Sequence, residues 1–132
     1  MATSLSLSTD GVTLTLHAEP DRKALVVLSG AGMLSEALVE AEAMGIGAIF
    51  LKELLKSPRG WTDSKSWRSL EGQLSYVATC DPTGHVTIAV TLGSDWDSRY
   101  WSSTIYLHYE LGQLEELSRR FTSFESALMT AA

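Results

Sequence analysis

The sequence predicts an α+β protein, with a predominantly antiparallel sheet of about six to seven strands and two helices packed on one face. Most of the chain alternates apolar and polar residues at the two-residue period of half-buried strands. Two stretches instead repeat apolar residues at helical spacing. Tight-turn signals separate neighbouring strands, which favours antiparallel pairing.

The clearest element is a hairpin over residues 71–92. Its turn covers residues 81–84, where proline and glycine take positions that a tight turn favours. Each arm has one apolar face and one face rich in threonine. We therefore expect Val86, Ile88 and Val90 to lie in the core and the threonines to face solvent.

Four strands are predicted before this hairpin. The first three cover residues 4–8, 12–17 and 23–29, and Asp10-Gly11 is a strong hairpin turn. The fourth is harder to assign, because Ala, Leu and Glu favour a helix over residues 33–43. We interpret this stretch as a strand, since alternating apolar residues follow a glycine-rich turn, and a helix stays open as the alternative.

The remaining elements complete an order of four strands, a helix, three strands and a helix within one domain, residues 1–132. A helix is predicted over residues 46–57, and its apolar stripe includes Ile49. Residues 102–111 form the last strand and residues 113–128 the last helix. Loops rich in aromatic residues are predicted over residues 59–68 and 93–101.

The composition narrows the classes of partner. Sixteen acidic residues against ten basic ones give a formal charge of −6, which opposes binding to nucleic acid and suits a basic protein partner. Cys80 is the single cysteine and falls on an apolar strand face, so we expect a buried thiol and no disulfide. We expect no cofactor and no metal, because no ligand motif is present. The N-terminus lacks a signal-peptide pattern and no apolar run is long enough for a membrane span, so we expect a cytoplasmic location without a membrane partner.

The aromatic loops supply the first candidate site, since large aromatic residues are enriched in protein interfaces. The alternative is that these rings cap the open ends of the core. We expect Trp101 to lie in the core and Trp96, between two aspartates, to be exposed. The predicted binding residues are Trp61, Trp67, Asp95, Trp96, Asp97 and Tyr100.

A second candidate site lies on the threonine-rich face. If their strands are neighbours, His85, Tyr106, His108 and Glu110 meet there and can do acid–base chemistry. The alternative is the ordinary solvated outer face of a sheet. No catalytic motif with a nucleophile and a base at a recognisable spacing is present, so no catalytic residue is assigned.

Several short motifs together resemble a known family. They are Arg59-Gly60-Trp61, Trp67-Arg68-Ser69-Leu70-Glu71-Gly72, Gly84-His85-Val86 and Trp96. The series resembles a small, uncharacterised bacterial family of unknown function that is common in actinobacteria. The resemblance covers roughly residues 45–117 and implies no activity, whereas the N-terminal forty residues match nothing. It also favours a strand over residues 35–43. The layout is more weakly similar to WapI-type immunity proteins, which neutralise toxins by direct binding.

Three hypotheses about function follow. We expect a protein-binding module, in its finer form an immunity-type inhibitor of a toxin. The first alternative is a small-molecule-binding protein or an enzyme, with a pocket near the tryptophan-rich loops and with His85 or His108 as acid–base. The second is a homodimer that pairs through an exposed sheet face.

Overall fold

The computed structural model of the protein describes residues 4–94 and 100–130. These residues form two antiparallel sheets of four strands each, and a helix follows each sheet. Sheet 1 consists of β1 (Ser4–Thr9), β2 (Val12–Glu19), β3 (Lys23–Gly30) and β4 (Met33–Glu40), followed by helix α1 (Ala48–Leu55). Sheet 2 consists of β5 (Lys65–Arg68), β6 (Leu74–Cys80), β7 (His85–Gly93) and β8 (Ser102–Glu110). A short 3-10 helix at Leu111–Gln113 leads into helix α2 (Leu114–Thr130).

The α+β class and the two helices are confirmed, but the single sheet of about six to seven strands is wrong. In each sheet, strands that are consecutive in the chain pair with each other. The ladder of sheet 1 ends at β4 and that of sheet 2 begins at β5, and α1 lies between them in the chain. The connection through α1 therefore divides the strands into two sheets.

The loop predicted over residues 59–68 contains strand β5, which the sequence pattern does not indicate. Only one of its four residues, Trp67, is apolar, so no alternation can be recognised. Its pairing with β6 places Trp67 opposite Tyr76. The strand thus depends on its neighbour more than on its own propensity.

The fourth predicted strand is confirmed. β4 begins where the predicted stretch of residues 33–43 begins, ends three residues before it, and pairs with β3 along its length. The turn before it contains positive φ angles at Gly30 and Gly32. The strand is favoured over a helix here because it directs alternate side chains of β4, such as the buried Val39, into the core.

The central hairpin is also confirmed. β6 and β7 are paired neighbours, and Gly84 donates its backbone N–H to the carbonyl oxygen of Asp81 at 3.1 Å. Val86, Ile88 and Val90 are buried as expected. The period of two in the sequence therefore reports correctly which face of this hairpin is inside.

One continuous apolar core contains residues from both sheets and both helices. The helices therefore pack against both sheets, and not on one face of one sheet. Ile49, predicted to belong to the apolar stripe of the first helix, is 54% exposed because the other side of α1 faces the core. Neither helix of the described residues is long and apolar enough to cross a membrane. One interior space is lined by Leu7 and Leu14 of sheet 1, Ile88 and Leu107 of sheet 2, Phe50 of α1 and Phe121 of α2.

Tyr76 is the centre of an aromatic cluster that joins sheet 2 to both helices. Its ring centroid lies 4.9 Å from that of Trp67, 5.5 Å from that of Phe50 and 6.2 Å from that of Phe121. Its hydroxyl donates a hydrogen bond to the carbonyl oxygen of Ile46 at 2.6 Å. A buried phenol needs such a partner, and this bond fixes the chain just before α1.

A carboxylate from α2 holds the start of α1. Glu125 accepts hydrogen bonds from the backbone N–H groups of Ile46 at 2.9 Å and Ala48 at 2.7 Å, as a cap residue does within a single helix. Gly47 between them has a φ of 152°, and a Cβ there would lie 2.5 Å from the ring of Phe121. Glycine is therefore required at this position.

Removing the Tyr76 hydroxyl should destabilise the fold, because the carbonyl of Ile46 then loses its donor in a buried setting. We expect Tyr76→Phe to lower the free energy of unfolding by about 1–3 kcal/mol, measured by urea denaturation. Tyr106→Phe is the matched control, since Tyr106 is 55% exposed on the same sheet. Equal effects of the two substitutions would contradict the role given to the Tyr76 hydroxyl.

The contribution of the Tyr76 hydroxyl to stability should also be visible at alkaline pH. Burial, and secondarily the negative charge of Glu125, raises the pKa of Tyr76 above its ordinary value of 10.0. Because the folded-state pKa is the higher one, the unfolded chain loses the proton first, and the stability from this group is lost as the pH rises above about 10. Between about pH 9 and pH 11, the free energy of unfolding should therefore fall less steeply with pH for Tyr76→Phe than for the wild type, as measured by urea denaturation at each pH. Parallel pH dependences would contradict this assignment.

Candidate functional site

Two surfaces carry predicted site residues that are exposed: the outer face of sheet 2 and the end of the β7–β8 hairpin. Strands β7 and β8 are hydrogen-bonded neighbours, so His85, Tyr106, His108 and Glu110 project from one outer side of sheet 2. In the register of the two strands, His85 lies opposite Glu110. We call these four residues the polar face.

His85 lies between two carboxylates. Its Nε2 is 3.2 Å from Oε1 of Glu110, and its Nδ1 is 3.2 Å from Oδ2 of Asp81. The Thr83 hydroxyl lies 2.7 Å from the same Nδ1. An imidazole with these neighbours can accept and release a proton. Because the His85 side chain is 61% exposed, water competes for each of these contacts.

Asp81 is held by the turn between β6 and β7. Its Oδ1 accepts hydrogen bonds from the backbone N–H groups of Thr83 and His85, both at 2.9 Å. The hydrogen bond from the His85 backbone, followed by that from the Thr83 hydroxyl, lowers the pKa of Asp81 from 3.8 to about 2. The carboxylate therefore closes the turn, as aspartate side chains commonly do, while it also contacts the imidazole.

The other two members of the polar face have different neighbours. The Nδ1 of His108 is 3.3 Å from the Thr87 hydroxyl, and its backbone N–H donates to the Thr9 hydroxyl of β1 at 3.0 Å. Tyr106 lies opposite Ala89 and is exposed. Across residues 4–94 and 100–130, no three His, Cys, Asp or Glu side chains are grouped so that they could bind a metal.

Trp61 and Trp67, two of the predicted binding residues, pack on the core. Trp67 is 7% exposed and donates its indole N–H to the carbonyl oxygen of Met44 at 3.3 Å. Trp61 is half-buried, and its indole N–H donates to the carbonyl oxygen of Ala78 at 3.1 Å. Trp67, in β5, therefore holds the connection between β4 and α1, and Trp61 holds its own loop against β6.

Tyr100 and Trp101, which we call the aromatic tip, lie at the end of the β7–β8 hairpin. They are 77% and 38% exposed, respectively, so the expectation that Trp101 lies in the core is wrong. The reason is that β8 begins at Ser102, which leaves Trp101 beyond the last paired residue of the strand. The hairpin closes with a hydrogen bond from the backbone N–H of Ser94 to the carbonyl oxygen of Trp101 at 3.2 Å. The predicted binding residues Asp95, Trp96 and Asp97 lie outside the described residues.

Sheet 1 carries an exposed apolar surface that the sequence reasoning missed. Leu34 and Leu38 of β4 are 72% and 46% exposed, and Leu38 lies opposite Leu25 of β3. The hydroxyls of Ser35 and Ser103 are 2.6 Å apart, so β4 meets the part of β8 that follows the aromatic tip. The alternation of leucine and glutamate along β4 was the signal that could have revealed this surface.

The sequence as a whole now decides the family. The profile of the family of unknown function DUF6228 matches residues 2–127. The chain belongs to this family. The expected resemblance to a family of unknown function is thereby confirmed, and the match also includes the N-terminal forty residues, which were expected to match nothing.

No curated protein is significantly similar in sequence to this DUF6228 chain. Among solved structures, it is similar to the crystal structures of MRP1/MRP2 from Trypanosoma brucei. The TM-score is 0.46 and the sequence identity is 11%, with 96% of this chain and 84% of that chain covered. Similarity this distant transfers neither a ligand nor an activity.

The hydrogen bonds around Asp81 should be visible in an acid titration. By NMR, the carboxyl of Asp81 should titrate at about pH 2, and Thr83→Ala should move its midpoint toward 3.8. Thr91→Ala, on the same outer face, is the matched control and should leave the midpoint unchanged. Because the folded-state pKa is lowered, the stabilisation from ionised Asp81 is present above about pH 4 and is lost as the pH falls toward 2. A wild-type midpoint of 3.8 would show that these hydrogen bonds do not persist in solution.

Proposed function

We propose that the chain is a protein-binding module that recognises a basic protein partner. The observation that carries the proposal is the aromatic tip, where the consecutive residues Tyr100 and Trp101 are both exposed at a hairpin end. Large aromatic residues are enriched among those that dominate the free energy of binding. Their rings form apolar surface that a partner protein can cover.

The charge of the chain supports a basic partner. Sixteen acidic residues against ten basic residues leave a formal charge of −6. Two of the acidic residues, Glu36 and Glu40, lie on β4 near the strand that follows the tip. Opposite charges on two proteins speed their encounter and fix their orientation. The same balance opposes binding to the phosphates of nucleic acid.

The finer form of the proposal is an immunity-type inhibitor that binds a toxin in the bacterial cytoplasm. Inhibition by direct binding needs an exposed surface and no catalytic residues, which fits a chain without a recognisable catalytic motif. The similarity of the predicted layout to WapI-type immunity proteins supports this form only by analogy of fold. A toxin gene next to the gene for this chain would add independent support.

Small-molecule binding or catalysis at the polar face is the second candidate function. The contacts of His85 with both Asp81 and Glu110 favour it, with His85 or His108 as the acid–base group. Binding and catalytic sites for small molecules are usually concave and exclude water. Both histidines instead project, exposed, from the outer face of a sheet. Protein binding is therefore the function that we prefer.

Removing one exposed ring should weaken the partner complex without affecting the fold. The immobilised chain is used to recover proteins from a lysate of its source organism, and each recovered basic protein is purified and titrated by calorimetry. Tyr100→Ala should raise the Kd by about tenfold or more, as expected for an aromatic residue at the centre of an interface. Tyr106→Ala, which removes an exposed tyrosine of the polar face, is the matched control and should change the Kd by less than about twofold.

Thermal unfolding of both variants separates binding from folding. The Tm of Tyr100→Ala should equal that of the wild type, since the ring is exposed. If Tyr100→Ala leaves the Kd unchanged while Tyr106→Ala raises it, the aromatic tip is not the binding surface and the polar face is favoured. If no basic protein binds the purified chain, the proposal fails.

A further inference from the structure

The outer face of β3 and β4 carries a compact apolar strip. It consists of Leu25 and Val27 on β3 and Leu34 and Leu38 on β4, all on the side of sheet 1 that faces away from the core. Leu25 and Leu38 are direct cross-strand partners, so their side chains are adjacent. Leu34 is 72% exposed, which is unusual for a leucine in a regular strand. We call these four residues the leucine strip.

Carboxylates alternate with the leucines on the same face. Glu36 lies between Leu34 and Leu38 along β4 and opposite Val27 of β3. Glu40 follows at the end of the strand, but it lies opposite Lys23 of β3 and its Oε1 accepts the backbone N–H of Glu42 at 3.0 Å, so Glu36 is the carboxylate that the strip presents. Residues two apart in a strand are separated by about 7 Å, so apolar and acidic groups succeed one another at that interval. The strip therefore offers apolar surface and negative charge together.

The edge of β4 that does not pair with β3 is in contact with sheet 2 and the residue that precedes β6. The side-chain amide of Gln73 donates to the carbonyl oxygen of Leu38 at 3.4 Å, and the hydroxyl of Ser35 is bonded to that of Ser103. A partner strand added to this edge would have to displace these contacts. The face of the strand, in contrast, is exposed at Leu34 and Leu38.

We infer that the leucine strip docks an amphipathic helix of the basic partner, with a lysine or arginine residue placed over Glu36. This inference rests on the proposed function and deepens it by naming the partner's element. Leu34 and Leu38 are about 13 Å apart along the strand, which a helix spans in roughly nine residues. Apolar residues repeating on one helix face, flanked by basic ones, match this pattern of leucine and glutamate.

The test uses a synthetic probe, a peptide of about 18 leucine and lysine residues that forms an amphipathic helix. A peptide with glutamate in place of lysine is the control for charge. Binding of the fluorescein-labelled peptides to the full chain is measured by fluorescence anisotropy at two salt concentrations. The leucine–lysine peptide should bind, and more weakly at high salt, whereas the leucine–glutamate peptide should not.

Substitutions then locate the site. The double variant Leu34→Ser, Leu38→Ser should raise the Kd for the peptide by about tenfold or more, because two exposed apolar contacts are lost. Glu36→Gln should raise the Kd by about threefold and reduce its salt dependence. Val77→Ser with Tyr106→Ser removes two exposed apolar groups from sheet 2 and is the matched control, with less than about a twofold change. Equal effects of the sheet 1 and sheet 2 variants would overturn the inference.

The partner recovered through the aromatic tip separates this inference from the proposed function. If Tyr100→Ala weakens the complex but the Leu34→Ser, Leu38→Ser variant does not, the proposed function stands and the inference is overturned. If both weaken it, both are supported. A dimer detected by light scattering and abolished by Leu34→Ser, Leu38→Ser would assign the strip to a second copy of the chain, which also overturns the inference.

Discussion

The start of α1 depends on polar contacts supplied by two distant parts of the chain. Tyr76 of sheet 2 donates to the carbonyl oxygen of Ile46, and Glu125 of α2 accepts from the N–H groups of Ile46 and Ala48. Apolar burial favours compactness but has no direction, whereas these hydrogen bonds do. They therefore fix where α1 lies against α2 and sheet 2, and Gly47 allows the close approach of Phe121.

Local alternation was sufficient to predict most strands and insufficient to predict how they are grouped. The burial of Val86, Ile88 and Val90 follows from a period of two, whichever strands lie on either side. The division into two sheets depends on which strands are neighbours, and alternation is silent on that point. Strand β5 shows the limit most clearly, because Trp67 is its single apolar residue and its strand geometry follows from pairing with β6.

The candidate sites were predictable to different degrees for the same reason. The alternation of side chains along β7 and β8 places His85 and Glu110 on the same face of the sheet, and the pairing of the two strands brings them together. Whether an aromatic ring in a loop is buried or exposed depends on the surrounding tertiary structure. The alternation of side chains along a strand gives no information about it. Trp67 is consequently buried while Tyr100 is exposed, although both were predicted to bind. Leu34 and Leu38 were missed because an exposed leucine and a core leucine look the same in a sequence, and only the glutamates on the same side of β4 indicate that this side faces solvent.

The capping of α1 by Glu125 has a consequence for the order in which the protein is made. During synthesis, sheet 1 and α1 emerge from the ribosome well before residue 125. Until then, the N–H groups at the start of α1 lack the carboxylate of Glu125 that accepts their hydrogen bonds in the folded protein. Tyr76, which donates to the carbonyl oxygen of Ile46, also emerges after α1. The Thr9 hydroxyl receives its hydrogen bond from the backbone of His108 only later still. The first sheet can form its hairpins during synthesis, but its mature packing is reached only after translation has passed the second helix.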